Sequence, residues 1–107
     1  MSKPLKVQIV ERARSLIADE DCWCNHHLAI DKHGVVISPT SAKAVKRCAL
    51  GAVIAAAYQL THDYDVAHEL SHQVLGAHYR AATLMHINDH QGHAAVLALF
   101  DEVIAAG

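Results

Sequence analysis

Cys48-Ala49-Leu50-Gly51-Ala52-Val53-Ile54-Ala55-Ala56-Ala57-Tyr58 is the longest apolar run in the chain. A bilayer span needs about 20 such residues, so this run is too short to cross a membrane. Through Ala57 it is apolar on every side of a helical wheel, and a helix of that kind is buried among other elements. A central helix with others packed round it is the expectation that follows. Upstream, Ser38-Pro39-Thr40-Ser41 has the composition of a helix start, with Thr40 or Ser41 as N-cap, so the helix is expected to run from there to about Leu60. Gly51 forfeits up to ~1 kcal/mol of helix propensity. Close approach by a neighbouring element is the expected reason for it.

Working outward, a first helix is expected from near Pro4, which suits the first helical position, to about Asp19. Leu5, Ile9, Ala13 and Ile17 form its stripe, with Val10 and Leu16 beside them. Leu28-Ala29-Ile30 and Val35-Val36-Ile37 flank Asp31-Lys32-His33-Gly34, a four-residue hairpin turn with Gly34 at positive φ. Beyond the central run, His62-Asp63-Tyr64-Asp65 breaks the pattern, and Asp65 is expected to cap a third helix over 66–87. Asn88 with Gln91 reads as a capping box for a last helix ending near Ala106, whose buried stripe is Val96, Leu99, Phe100 and Val103. The fold class is therefore mostly α: one compact domain over 1–107, about four helices, and one small β-hairpin at roughly residues 28–37.

Composition bounds the function. At 107 residues, 52% hydrophobic and 19% charged, the chain suits one domain with its own core and is too apolar to be disordered. A formal charge of −2 argues against a nucleic-acid surface, which needs clustered Lys and Arg. The mixed polar start, Met1-Ser2-Lys3-Pro4-Leu5-Lys6, shows no secretory pattern, and three cysteines are an odd number for a disulfide framework. A soluble cytoplasmic protein with reduced thiols and no membrane partner is expected. Ten histidines are the outlier: protonating all ten carries the formal charge from −2 to +8, centred near pH ~6.5.

Trp23-Cys24, Ala29-x-Asp31-x-x-Gly34-x-Val36, Ala44-Val45-x-x-Cys48-Ala49-Leu50-Gly51-Ala52 and Ile87-Asn88-Asp89, with Val96-Leu97 downstream, form one ordered set. In that set the chain resembles DUF6197, an uncharacterised family of small bacterial and phage proteins. The resemblance runs from the first helix to the last and is strongest in the Trp-Cys, Cys-Ala-Leu-Gly-Ala and Asn-Asp elements. It implies a shared fold and no particular chemistry.

Three histidine- or cysteine-bearing clusters could carry chemistry. His68-Glu69-Leu70-Ser71-His72 is a literal H-E-x-x-H, the spacing by which zinc hydrolases set two imidazoles on one helical face with Glu69 as general base. His78 stands where the longer metzincin pattern has its third ligand, but Leu75 occupies the position of that pattern's turn glycine and Gly76 comes one place late. Composition alone raises the chance of such a motif roughly tenfold over an ordinary chain. On a wheel, Val66, Leu70, Val74, Ala77, Ala81 and Leu84 form the buried stripe, and His68, His72 and Tyr79 point away into solvent. Such a surface pair could pick up zinc or nickel adventitiously. Cys22-x-Cys24-x-His26 places three soft ligands on one face of an extended segment, off the usual C-x₂-C zinc spacing. His86, His90 and His93 have helical spacing, which Asn88-Asp89 and Gly92 are expected to interrupt, leaving His90 and His93 in the first turn of the last helix.

No cofactor is favoured by these patterns. The expected function is a small non-catalytic accessory domain, phage-related if the resemblance extends that far, that binds a protein partner or itself. The alternatives are a zinc-dependent hydrolase using His68, His72 and Glu69, and a histidine-based pH-responsive module.

Overall fold

The computed structural model describes residues 3–74 and 81–107, with Ala81 and Ala82 described by backbone alone. In chain order it contains α1 (Leu5–Leu16), a 3-10 turn (Glu20–Cys22), β1 (Ala29–Ile30), β2 (Lys46–Arg47), α2 (Ala49–Thr61), α3 (Tyr64–Gln73), α4 (Ala81–Gln91) and α5 (His93–Ala106). The class is the expected one: mostly helical, with a small antiparallel β element.

The apolar run forms α2, and every residue from Ala49 to Ala57 is buried. This helix packs against α1, α3 and α4, while α5 closes over α1 and α4. Its alanines and Gly51 keep it slim enough to be surrounded. A Cβ at Gly51 would run into the Leu28 carbonyl, so the glycine is there because the backbone leading into β1 lies against the helix.

The start of α2 departs from expectation. Thr40 and Ser41 do not cap it, and the residues before Cys48 are spent on turns and on β2. The hydroxyls make local turns instead: the Thr40 N–H donates to Ser38 Oγ, and the Lys43 N–H to Ser41 Oγ. Cys48 is the N-cap, its Sγ accepting the Gly51 N–H at 3.3 Å.

The hairpin turn forms as read, with Gly34 at φ 78° and the Gly34 N–H donating to the Asp31 carbonyl. The main partner of β1, however, is β2, with Ala29 opposite Arg47 and Ile30 opposite Lys46. Val36 bridges Ile30 on the other side, and Trp23 bridges Arg47, so β1 is flanked on both sides.

Helix boundaries shift elsewhere. Pro4 is the N-cap of α1 rather than its first residue, and the helix ends at Leu16 instead of Asp19. Leu5 is exposed, and Val7 takes its place in the buried set with Ile9, Val10, Ala13 and Ile17. Asp63, not Asp65, caps α3, its Oδ1 accepting the Val66 N–H. Its buried face also differs from the expected stripe: Ala67, Ser71 and Val74 are buried and Val66 is exposed. The stretch expected as one helix over 66–87 contains α3 and α4, and Leu75, Gly76, Ala77, His78 and Tyr79 lie outside the described residues. Helix α4 runs through Asn88 and stops at Gln91, and Gly92 at φ 94° makes the break before α5. Asn88 is therefore mid-helix, not the capping residue of the last helix. Val96, Leu99, Phe100 and Val103 form the buried face of α5 as expected.

Candidate functional site

The H-E-x-x-H residues sit on α3. His68 is partly buried, with its Nε2 2.9 Å from the Tyr64 hydroxyl and its ring 4.7 Å from the tyrosine ring. His72 and Glu69 are exposed, and Glu69 receives a long 3.5 Å bond from Gln73 Nε2. The Tyr64 hydroxyl thus occupies Nε2, one of the two nitrogens through which His68 could bind a metal. His78 lies outside the described residues.

Cys22, Cys24 and His26 share no face. Cys22 ends the 3-10 turn, and the Cys24 N–H is tied to the Arg47 carbonyl. Cys24 Sγ turns toward the His27 carbonyl, and His26 takes a left-handed backbone at φ 68° that directs it elsewhere. Burial, followed by the nearby Cys48 thiol, raises Cys24 to about 11 against the lowering effect of Lys46. Burial also pushes Cys48 up. Both thiols are thus held in the protonated form at neutral pH, and neither is poised as a nucleophile.

His86 and His90 stack on α4 with ring centroids 4.7 Å apart. His93 belongs to α5 and is directed inward, with Nε2 2.6 Å from the Ile17 carbonyl at the end of α1. A carbonyl only accepts, so Nε2 carries the proton and Nδ1 faces Glu20 at 3.9 Å. Among the described residues no three His, Cys, Asp or Glu side chains are arranged to hold one metal ion.

The polar centre of the molecule is a residue that sequence reasoning placed in another role. Asn88 is 1% exposed and uses its full hydrogen-bonding capacity. Its Oδ1 accepts Trp23 Nε1–H at 2.7 Å and the Ala49 N–H at 2.9 Å; its Nδ2 donates to the Cys24 carbonyl at 3.1 Å and to Asp89 Oδ1 at 3.0 Å. Asn88 therefore does cap a helix, but it is α2, whose first N–H it satisfies from across the fold. Asp89 extends the clasp by accepting the His26 N–H at 2.9 Å, with His26 Nδ1 3.6 Å from its other oxygen. Burial raises the Asp89 carboxyl, but the His26 N–H and the Asn88 amide outweigh it, with His26 and His90 adding to them, and hold it below the usual carboxylate range. The signal that could have found this clasp was Trp23 itself, since a packed indole N–H needs an acceptor. Its hydrogen bonds join elements far apart in sequence, so it organises the fold.

What does face outward is the far end of the β structure. Val35 and Val36 are each 59% exposed on one flank of β1, and Val45 is 44% exposed on the other. Lys32 and Lys43 stand beside Val45, lining with it, Asp31, His33 and Ala42 a recess of about 470 Å³. Residues 32–47 contain Lys32, Lys43, Lys46 and Arg47 and no acidic residue. A shallow polar groove of about 500 Å³ between α1 and α2, lined by Gln8, Glu11, Arg12, Ser15 and Gln59, is partly closed by the Arg12–Gln59 hydrogen bond.

No helix among the described residues is long and apolar enough to cross a membrane. No curated protein and no solved structure matches the chain. The model of a family of unknown function, DUF6197, matches residues 1–106, nearly the whole sequence, and the chain belongs to that family.

Proposed function

We propose that this chain is a small non-catalytic, cytoplasmic accessory domain that binds another protein through the tip of its β structure. The observation that carries the reading is the set Val35, Val36 and Val45, exposed on both flanks of β1 while most aliphatic side chains of the helices are packed inside. Branched apolar side chains held outward at the tip of the β structure suit contact with a second surface better than they suit water. The cytoplasmic part of the reading rests on three free cysteines, two with thiols held in the protonated form. Panning a random-peptide display library on wild-type protein and on a Val35→Ser/Val36→Ser/Val45→Ser variant tests the reading. Wild type is expected to enrich a peptide family that the variant loses. The same peptides enriched on both proteins would refute it.

A second, pH-responsive reading is favoured by two cross-element pairs, His26 with Asp89 and His93 with Glu20. Each gains an ionic component when its imidazole is protonated. Its test is the pH titration argued at the end of the Discussion.

A further inference from the structure

We propose that the recess between the 31–34 and 41–44 turns binds a small organic carboxylate, its head held by Lys32 and Lys43 and its apolar body laid on Ala42 and Val45. The site lies on the Val45 flank of β1, opposite the flank where Val36 bridges Ile30. The inference therefore goes beyond the protein-binding reading and is tested apart from it.

Two turns with fixed backbones build the recess. In the first, Asp31 Oδ1 accepts the His33 N–H at 2.8 Å and the Val35 N–H at 3.0 Å, and the Gly34 N–H closes on the Asp31 carbonyl. In the second, Ser41 Oγ accepts the Lys43 N–H and the Ser41 carbonyl accepts the Ala44 N–H. The Val45 N–H then donates to the Ile30 carbonyl, which sets the second turn against β1. Lys32 and Lys43 thus reach one recess of about 470 Å³ from different turns. Sites for small ligands usually enclose about 300–1,000 Å³, so the recess has room for an organic molecule. Ala42, Val45 and the methylene stems of the two lysines supply an apolar wall.

The charges of the lining specify the ligand class. Neither the Lys32 nor the Lys43 ammonium makes a hydrogen bond or ion pair among the described residues. Asp31 is the one acid of the lining, and its Oδ1 is committed to the backbone of its own turn. Two ammonium groups and one carboxylate leave the lining formally positive by one, with His33 neutral. That balance suits a monoanion better than a phosphate dianion, whose second charge would meet Asp31. Val45 is 44% exposed, and covering it favours an anion with an apolar body over a bare ion. The groove between α1 and α2 is of similar size but has its charges already engaged: Arg12 is bonded to Gln59, and Glu11 is paired with Lys3.

The test titrates the full chain, ¹⁵N-labelled and at pH ~7.5 where histidines as a class are neutral, with sodium hexanoate, sodium acetate, 1-hexanol and hexyl phosphate. Hexanoate is expected to shift the Lys32, His33, Ala42, Lys43 and Val45 amides saturably. It should bind about tenfold more tightly than acetate, which lacks the apolar body, and than 1-hexanol, which lacks the charge. Lys32→Gln/Lys43→Gln, at two exposed positions, should weaken hexanoate about tenfold while the amide spectrum elsewhere stays unchanged. Val45→Ser should remove the preference for hexanoate over acetate. Equal binding of acetate overturns the apolar body, equal binding of 1-hexanol overturns the carboxylate, and tighter binding of hexyl phosphate overturns the monoanion. Hexanoate shifts that are absent, that fall elsewhere, or that persist in the double-lysine variant overturn the site itself. None of these outcomes bears on Val35 and Val36, so the protein-binding reading keeps its own test.

Discussion

Asn88 shows how much one buried amide can decide. Truncation to alanine strips the partner from the Trp23 indole N–H, from the first N–H of α2 and from the Cys24 carbonyl in one step. Each buried polar group left unpaired costs about 1–3 kcal/mol, so Asn88→Ala is expected to lose about 3 kcal/mol or more. Urea unfolding followed by far-UV dichroism measures it, and a loss below about 1 kcal/mol would mean that the clasp is not structural. Cys24, whose carbonyl accepts directly from Asn88, gives a second prediction. Its thiol is raised to about 11 in the folded chain, so the protonated form is the one the fold prefers. That preference is fully present below pH ~9, the thiol's ordinary value, and is lost as pH rises from there to about 11. At pH ~8, alkylation of native Cys24 should accordingly run about a hundredfold slower than in urea, read by mass spectrometry of the Cys24 peptide. Comparable rates would show the thiol to be less sheltered than its surroundings imply.

At the scale of elements, α2 is where local sequence and tertiary structure agree. An all-round apolar run can only be a surrounded helix, and Gly51 within it marks the place where another backbone comes close. Gly51→Ala should gain helix propensity of up to ~1 kcal/mol yet destabilise overall, by about 1–3 kcal/mol, because the added methyl drives β1 away from the helix. Gly34→Ala meets no neighbour at all, and its cost of about 1–2 kcal/mol is purely that of a left-handed φ. Thermal midpoints of the two variants separate crowding from strain: removing side-chain bulk at Leu28, by Leu28→Ala, leaves the carbonyl in place and should not rescue Gly51→Ala. Where the sequence misled, the cause is specific. Ser38, Thr40 and Ser41 resemble a cap because hydroxyls bond nearby N–H groups, but they do so here in turns that lead into β2. Asn88 resembles a cap for the same reason, and only the position of Trp23 and Ala49, distant in sequence, reveals which helix it serves. The hairpin turn was legible from Gly34, whereas the pairing of β1 with β2 was not, since nothing in a two-residue strand encodes its register. The exposed tip escaped for that reason: Val35-Val36-Ile37 reads as a hairpin strand, whereas Val36 makes only a single bridge to Ile30 and both valines are exposed.

For the whole molecule, charge and histidine have to be considered together. Acidic residues outnumber basic ones from Asp63 onward, the 32–47 segment is basic, and ten imidazoles are spread from His26 to His93. Histidines as a class titrate near pH ~6.5, so acidification adds positive charge everywhere at once and opposes compactness. Two local pairs act the other way. His93, 11% exposed, holds the end of α1 through the Ile17 carbonyl and, once Nδ1 is protonated, faces Glu20; His26 likewise faces Asp89. The Glu20 carboxylate is 78% exposed, so its help to His93 is weakened by solvent. The single tryptophan reports on this balance, because its ring lies 5.6 Å from that of His93 and a protonated imidazole quenches excited indole. Between pH ~7.5 and 5.5, where histidines as a class gain charge, the pH-responsive reading expects the emission of Trp23 to change while the sedimentation coefficient stays constant. That pattern would mean a local response with the fold intact. A cooperative shift of emission and sedimentation together would instead show that repulsion among the protonated histidines overcomes the two pairs, and that acid opens the fold as a unit.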